Sequence, residues 1–263
     1  EQESTTPQKI VSKYHQQFLE CWQKLGISFD LFTTTGTANH AQVTQDIFLT
    51  LLGNGYLYKD RMLQAYCPKC QRFLPDRYIE GTCPYCSFPK ARGDACDNCG
   101  KPLNPVELED ARCHICGTSP RFEESEHFFL RLSAFQDRLK DWIKGQSHWR
   151  QNVLGTAWSY LDEGLKDRAI TRDIEWGIAV PQPGFERKRI YVWFEAVIGY
   201  LSASKEWAEL HGDDTAWQPF WQGDAKSFYF IGKSKDTMRQ VTISSHQLIV
   251  IAAKKLIPGK IAI

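Results

Sequence analysis

Four Cys-x-x-Cys pairs fall within fifty residues of this chain: Cys67/Cys70 in YCPKC, Cys83/Cys86 in TCPYC, Cys96/Cys99 in ACDNC and Cys113/Cys116 in RCHIC. Each pair sets two thiols at the bite that suits a tetrahedral soft cation. Two pairs close a four-sulfur shell, so the eight cysteines can build two structural zinc sites. A disulfide framework is the competing reading. It needs an oxidising compartment, yet no apolar leader opens the sequence, and 263 residues can bury a core without covalent staples. An iron–sulfur ferredoxin would carry its cysteines in a tighter run followed by Cys-Pro. His114 lies inside the last pair and is expected to be exposed, since the thiols already come in even pairs.

Twelve residues separate the first pair from the second, nine the second from the third, and thirteen the third from the fourth. These gaps admit nested pairing, with Cys83, Cys86, Cys96 and Cys99 on an inner ion and Cys67, Cys70, Cys113 and Cys116 on an outer one. They equally admit sequential pairing. In either case the segment is rich in Gly, Pro and charge and poor in large apolar residues, so metal binding is expected to supply its folding free energy.

Upstream, Thr6-Pro7 reads as an N-cap with proline at the first helical position. Ile10, Val11, Tyr14, Phe18, Trp22 and Leu25 then recur with helical period up to Gly26. Cys21, the ninth cysteine, is expected to be a buried, inert thiol on that helix. ISFDLF at 27–32 reads as a short strand or extended segment. A second helix runs through Val43, Ile47, Phe48, Leu51 and Leu52 to a stop at Gly53-Asn54-Gly55. YLYKDRML at 56–63 is a β-rich run that delivers the chain to the cysteines.

Downstream, HFFLRLSAF leads from a strand into a helix capped by Ser133, with Phe135, Leu139, Trp142 and Ile143 on one face. Another helical stretch carries Val153, Ala157, Trp158, Leu161 and Leu165. From residue 170 the texture turns to short buried strands, AITRDIEWGIAV, RIYVWF and SFYFIG. Strands separated by helices favour an α/β sheet whose halves are parted by the metal segment. The net charge of +1 excludes a nucleic-acid binder working by bulk electrostatics. No apolar run reaches the ~20 residues of a membrane span.

The blocks GISFDLF, FLPDRYIEGTCPYC, ARGDACDNCGKPLNP, SEHFFLRLSAF, ITRDIEWGIAVP, YVWFEAVIGYLSAS and FYFIGK, in that order, resemble the catalytic domain of the methionyl-tRNA synthetases, a class I aminoacyl-tRNA synthetase family. The resemblance runs from about residue 7 to 233, and four cysteine pairs match the two-zinc form of the family. It implies a partial Rossmann-type catalytic domain (1–64 and 123–233) interrupted by a zinc-knuckle insertion (65–122) with nested pairing, and a tail (234–263) that departs from the family pattern. The implied chemistry is ATP-dependent activation of methionine to methionyl-adenylate, with magnesium accompanying ATP, and transfer to tRNA in the cytoplasm.

By the same resemblance Trp193, Ala196 and Tyr200 match the methionine pocket, and aromatic walls with a small residue suit an unbranched, polarizable thioether. Val197 departs mildly from the family. Gly232 and Lys233 match the start of a nucleotide-binding block whose next, acidic residue is here Ser234. Arg172 and Asp173 fall in a block near the catalytic face; read from the residues alone they are equally a surface ion pair. The sequence holds neither the HIGH-like nor the KMSKS-like motif of class I synthetases, so this chain is expected to be inactive by itself. The rival expectation is a zinc-dependent module touching the tRNA acceptor end, with Arg72, Arg77, Lys90, Arg92, Lys101 and Arg112 toward phosphate, or an inactive truncated paralogue.

Overall fold

The computed structural model describes residues 5–222, apart from residues 102 and 148 and the side chains of residues 152 and 156. Helix α1 (Pro7–Lys24) starts where expected, with the Thr6 hydroxyl accepting from the Lys9 amide. Its apolar stripe is not covered: no α1 residue among those described is buried, and Phe18 and Trp22 stand exposed. Cys21 is therefore exposed, not buried as its apolar neighbours suggested. The 27–32 segment forms no strand. Its rings fold back on the helix instead, Phe32 against His15 at 4.7 Å and Phe29 against Trp22 at 6.4 Å.

Helix α2 (Ala38–Gly53), capped by Thr37, buries His40, Val43, Thr44, Ile47, Phe48 and Leu51, one side of a 3.6-residue period. Gly55 at φ 76° ends it in the left-handed region. The chain then enters β1 (Leu57–Cys67), β2 (Arg72–Phe73), β3 (Ile79–Thr82), β4 (Ala91–Arg92), β5 (Glu109–Cys113) and β6 (Arg121–Leu130). Strands β1 and β6 pair antiparallel from Leu57 opposite Leu130 to Tyr66 opposite Arg121. This long ribbon carries the chain out to the cysteines and back.

Helices α3 (Gln136–Lys144) and α4 (Gln151–Glu163) follow, then β7 (Arg168–Ala169), β8 (Thr171–Arg172), β9 (Arg189–Ile190), α5 (Val192–Leu210) and α6 (Gln218–Gln222). The sheets are β2-β1-β6-β7, β4-β3-β5 and β8-β9. All these pairings are antiparallel, so the parallel strands of a Rossmann-type sheet are not among the described residues.

Two local expectations fail for identifiable reasons. Ser133 does not cap α3; its amide and hydroxyl both donate to Asp167 Oδ1, at 3.0 and 2.7 Å, and a 3-10 turn intervenes. RIYVWF is strand only at Arg189–Ile190, because Phe194, Ile198 and Leu201 bury at helical spacing and pull VWF into the first turn of α5. SFYFIG, Gly232, Lys233 and the tail lie outside the described residues.

The described residues form two apolar cores. The larger gathers Phe48, Phe128, Phe194, Leu139, Ile143 and Leu161 from α2, β6, α5, α3 and α4. The smaller draws on residues from Ala65 to Phe122, with Leu74, Ile79, Leu103 and Leu108 packed around Cys67, Cys83, Cys96 and Cys113. No helix among the described residues is long and apolar enough to cross a membrane.

Candidate functional site

The cysteines converge in two nested sets, Cys67, Cys70, Cys113 and Cys116, and Cys83, Cys86, Cys96 and Cys99, with the sulfurs of each set within 4.8 Å of one another. Nesting follows from the ribbon. Antiparallel β1 and β6 bring Arg121 opposite Tyr66, so the pair shortly before β6 meets the pair at the end of β1, while the β3–β4 hairpin carries Cys83 and Cys86 toward Cys96 and Cys99 just beyond β4. A tetrahedron with metal–sulfur bonds of ~2.3 Å has sulfur edges of about 3.8 Å. Here Cys67 and Cys116 lie 3.4 Å apart, Cys70 and Cys113 3.9 Å, Cys86 and Cys96 3.6 Å, and Cys83 and Cys99 3.9 Å. A disulfide needs ~2.05 Å, and all nine cysteines are free.

Local backbone geometry makes each set. The residue after each second cysteine takes a left-handed conformation: Gln71 at φ 52°, Ser87 at 57°, Gly100 at 72° and Gly117 at 72°. That reversal follows a tight turn closed by amide-to-carbonyl bonds such as Ser87 N–H to Cys83 O at 2.9 Å, and within the turn the second cysteine's amide faces the first one's sulfur, Cys70 N–H to Cys67 Sγ at 3.4 Å and Cys99 N–H to Cys96 Sγ at 3.5 Å. The Asn98 side-chain amide, 3.5 Å from Cys86 Sγ, is the main reason that thiol is lowered to about 6. Burial foremost pushes Cys96 up to about 12. Four soft donors at tetrahedral edges, each set half inside an apolar core, could hold a metal ion. His114 stands apart and exposed, its Nδ1 3.1 Å from Glu80 Oε2.

The cysteine lobe is tied to the larger core by charge. Asp76 Oδ2 accepts from Arg172 at 3.2 Å and from the Tyr191 hydroxyl at 3.0 Å, and the guanidinium lies 3.9 Å from the centre of the Tyr191 ring. Burial, then the Asp76 charge, pushes the Tyr191 hydroxyl well above its ordinary range. Arg172 also donates to the carbonyls of Ala169 and Thr171. Arg172 is buried, and Asp173 pairs instead with Lys188 at 2.6 Å, so the surface-pair reading of these two residues fails.

Asp173 belongs to a second buried network. Its Oδ2 is 3.2 Å from His127 Nε2, which also faces Gln64 Oε1 at 3.1 Å, and His127 Nδ1 meets Thr171 Oγ1 at 3.0 Å. Burial is the main cause holding His127 below the ordinary histidine value of about 6.5. Burial opposes ionisation of Asp173, but the bonds from His127, Lys188 and Ser125 outweigh it and hold the carboxyl below the usual range. As pH falls through about 6.5 the unfolded chain takes up a proton that native His127 resists. Below about 4 the unfolded chain likewise protonates its aspartate before native Asp173 does. Both depressed values therefore remove stability on acidification. His127→Gln is expected to flatten the fall in unfolding free energy between about pH 6.5 and 5, measured by urea titration at stepped pH. An unchanged slope would refute this.

On α5, Trp193, Ala196 and Tyr200 share one face. Trp193 is 39% and Tyr200 47% exposed, and Ala196 is half-buried. Of the basic residues around the cysteines, Arg77 pairs with Asp94 at 2.8 Å and Arg92 with Glu80 at 3.4 Å. Sequence reasoning missed Asp76 and also His40, whose ring is buried between α2 and α5 against Glu195 and Ser202. The partners of His40 lie some 160 residues away, and no local pattern points to them.

A family model described as tRNA synthetases class I (M) matches residues 1–249. A methionine–tRNA ligase of Dehalococcoides mccartyi strain CBDB1 is 59% identical over 233 residues, 89% of this chain and 42% of that protein. One from Thermomicrobium roseum is 54% identical over 234 residues, 89% of this chain and 40% of that protein. The chain thus spans less than half the length of these relatives. A solved structure of Mycobacterium tuberculosis methionyl-tRNA synthetase in complex with methionyl-adenylate shares the fold, with a TM-score of 0.62 and 20% identity over 96% of this chain and 43% of that one.

Proposed function

This chain belongs to the class I tRNA synthetases of the M group, and on that premise we propose that it is the stretch of a methionine–tRNA ligase that supplies the amino-acid face and the metal lobe of the catalytic domain. The ligase joins methionine to the adenylate of ATP, the amino-acid carboxylate oxygen attacking the α-phosphorus as pyrophosphate leaves. It then passes the acyl group to tRNA. In this reading Trp193, Ala196 and Tyr200 contact the methionine side chain, Gly232 and Lys233 approach the nucleotide with its magnesium, and each cysteine set holds a zinc ion whose contribution is to fold residues 65–122 as a lobe. Cytoplasmic location follows from thiols that must stay reduced to bind zinc.

The α5 face carries the proposal. Two aromatic rings flank a small residue at spacings of three and four, on a helix whose other sides are anchored. Such a surface gives sulfur–ring contacts to a thioether and room for its unbranched chain. In a ligase carrying this stretch, Trp193→Ala is expected to raise the methionine KM in pyrophosphate–ATP exchange by on the order of tenfold or more, with the ATP KM nearly unchanged. Equal KM values in variant and parent would refute the assignment.

A further inference from the structure

Helix α5 is held against α2 and the loop before it by polar contacts along a single stripe. The Thr33 hydroxyl donates to Glu206 Oε2 at 2.8 Å, and the Asn39 amide donates to the Ser202 carbonyl at 2.8 Å. Beside Gly199 a Cβ would come within 3.3 Å of Thr35 Cγ2, so the helix seats closely there. At the centre sits His40, 1% exposed, with Nδ1 2.7 Å from Ser202 Oγ and Nε2 2.7 Å from Glu195 Oε2. A carboxylate can only accept, so Nε2–H donates to Glu195.

Glu195, Gly199, Ser202 and Glu206 succeed one another at spacings of four, three and four, and so form one stripe of α5. At about 100° per residue that stripe lies roughly a third of a turn from the one bearing Trp193, Ala196 and Tyr200. A bond on the first stripe therefore fixes the rotation of the second. Glu195 is also in the first turn of α5, next in sequence to Ala196, where an uncompensated rotation would move the pocket face most directly.

We propose that His40 is a positioning residue for the amino-acid face: by gripping Glu195 and Ser202 together it sets the rotation of α5 and with it the placement of Trp193, Ala196 and Tyr200. The proposal rests on the reading of that face given above. His40 touches no substrate. Its effect is geometric, and a displacement of ~1 Å at a binding face is enough to cost on the order of tenfold to a hundredfold.

The test is methionine-dependent pyrophosphate–ATP exchange in a ligase carrying this stretch, run well below the unfolding midpoint of each variant. His40→Ala is expected to raise the methionine KM about tenfold while the ATP KM stays within about twofold, a split that general loss of fold would not give. His40→Gln, whose amide nitrogen can take the place of Nε2 toward Glu195, is expected to recover most of the loss. His40→Asn, which can serve only Ser202, is expected to recover less. A methionine KM unchanged in His40→Ala, or KM values for methionine and ATP that rise together, would overturn the proposal. If His40→Ala does not fold, the Gln and Asn variants carry the comparison, and equal methionine KM values in those two would overturn it. Trp193→Ala run alongside separates the two levels. A rise there with none in His40→Ala sinks the positioning role alone, whereas no rise in Trp193→Ala sinks the reading of the face itself.

Discussion

With a zinc ion on each cysteine set, as proposed, chelation is expected to unfold the smaller core and leave the larger one standing. The smaller core contains four buried large aliphatic residues, Leu74, Ile79, Leu103 and Leu108, and much of what remains is cysteine. Its strands are short, β2 and β4 being two residues each. A structural zinc site contributes on the order of 10–16 kcal/mol of apparent binding free energy, far more than a domain's usual margin of stability, so its loss decides the folding of the lobe. The larger core rests on helices α2 to α5 and the base of the ribbon and contains no cysteine. Hydrogen exchange read by peptide should therefore show protection lost across residues 65–122 and retained in α2, α4 and α5. Protection that survives chelation in the lobe would mean that the apolar residues fold it unaided.

The second large effect is expected at Arg172. Its guanidinium is buried between Asp76, itself buried, and the ring of the half-buried Tyr191. Arg172→Ala leaves Asp76 as a buried carboxylate with the Tyr191 hydroxyl as its remaining donor here. Breaking a buried pair from one side typically costs about 3–5 kcal/mol. The same loss is expected from Asp76→Ala, which strands the guanidinium. The double variant should cost less than the sum, because neither charge is then left alone. Urea unfolding of the three variants measures this. Strict additivity, or a cost below about 1 kcal/mol for Arg172→Ala, would show that the pair sits in a more watery place than its burial indicates.

How much of this was legible beforehand depended on the range of the interaction. The helices α1 to α4 follow from apolar residues at helical spacing and from short-range signals such as Thr6-Pro7 and Gly53-Asn54-Gly55. The two cysteine sets follow from donor chemistry that tolerates little else at that spacing. Nesting did not follow from the gaps, since it depends on β1 and β6 pairing along their length. The start of α5 reads as strand because Tyr191, Val192, Trp193 and Phe194 have strand propensity, which the burial of Phe194, Ile198 and Leu201 overrides. Ser133 looks like a cap until Asp167 competes for its hydroxyl from 34 residues away. Cys21 was placed inside by its neighbours, yet burial also needs something to pack against, which a helical wheel does not supply. His40, Glu195, Asp76 and Arg172 are single polar residues with distant partners, and only the assembled fold brings them together.

Metal content of two double variants tests the nested arrangement most directly. If Cys70 and Cys113 share one ion, Cys70→Ser with Cys113→Ser should retain about one zinc per chain, and Cys70→Ser with Cys83→Ser should retain about none. Sequential pairing would give the opposite result, and zinc bound in full by both variants would contradict the tetrads themselves.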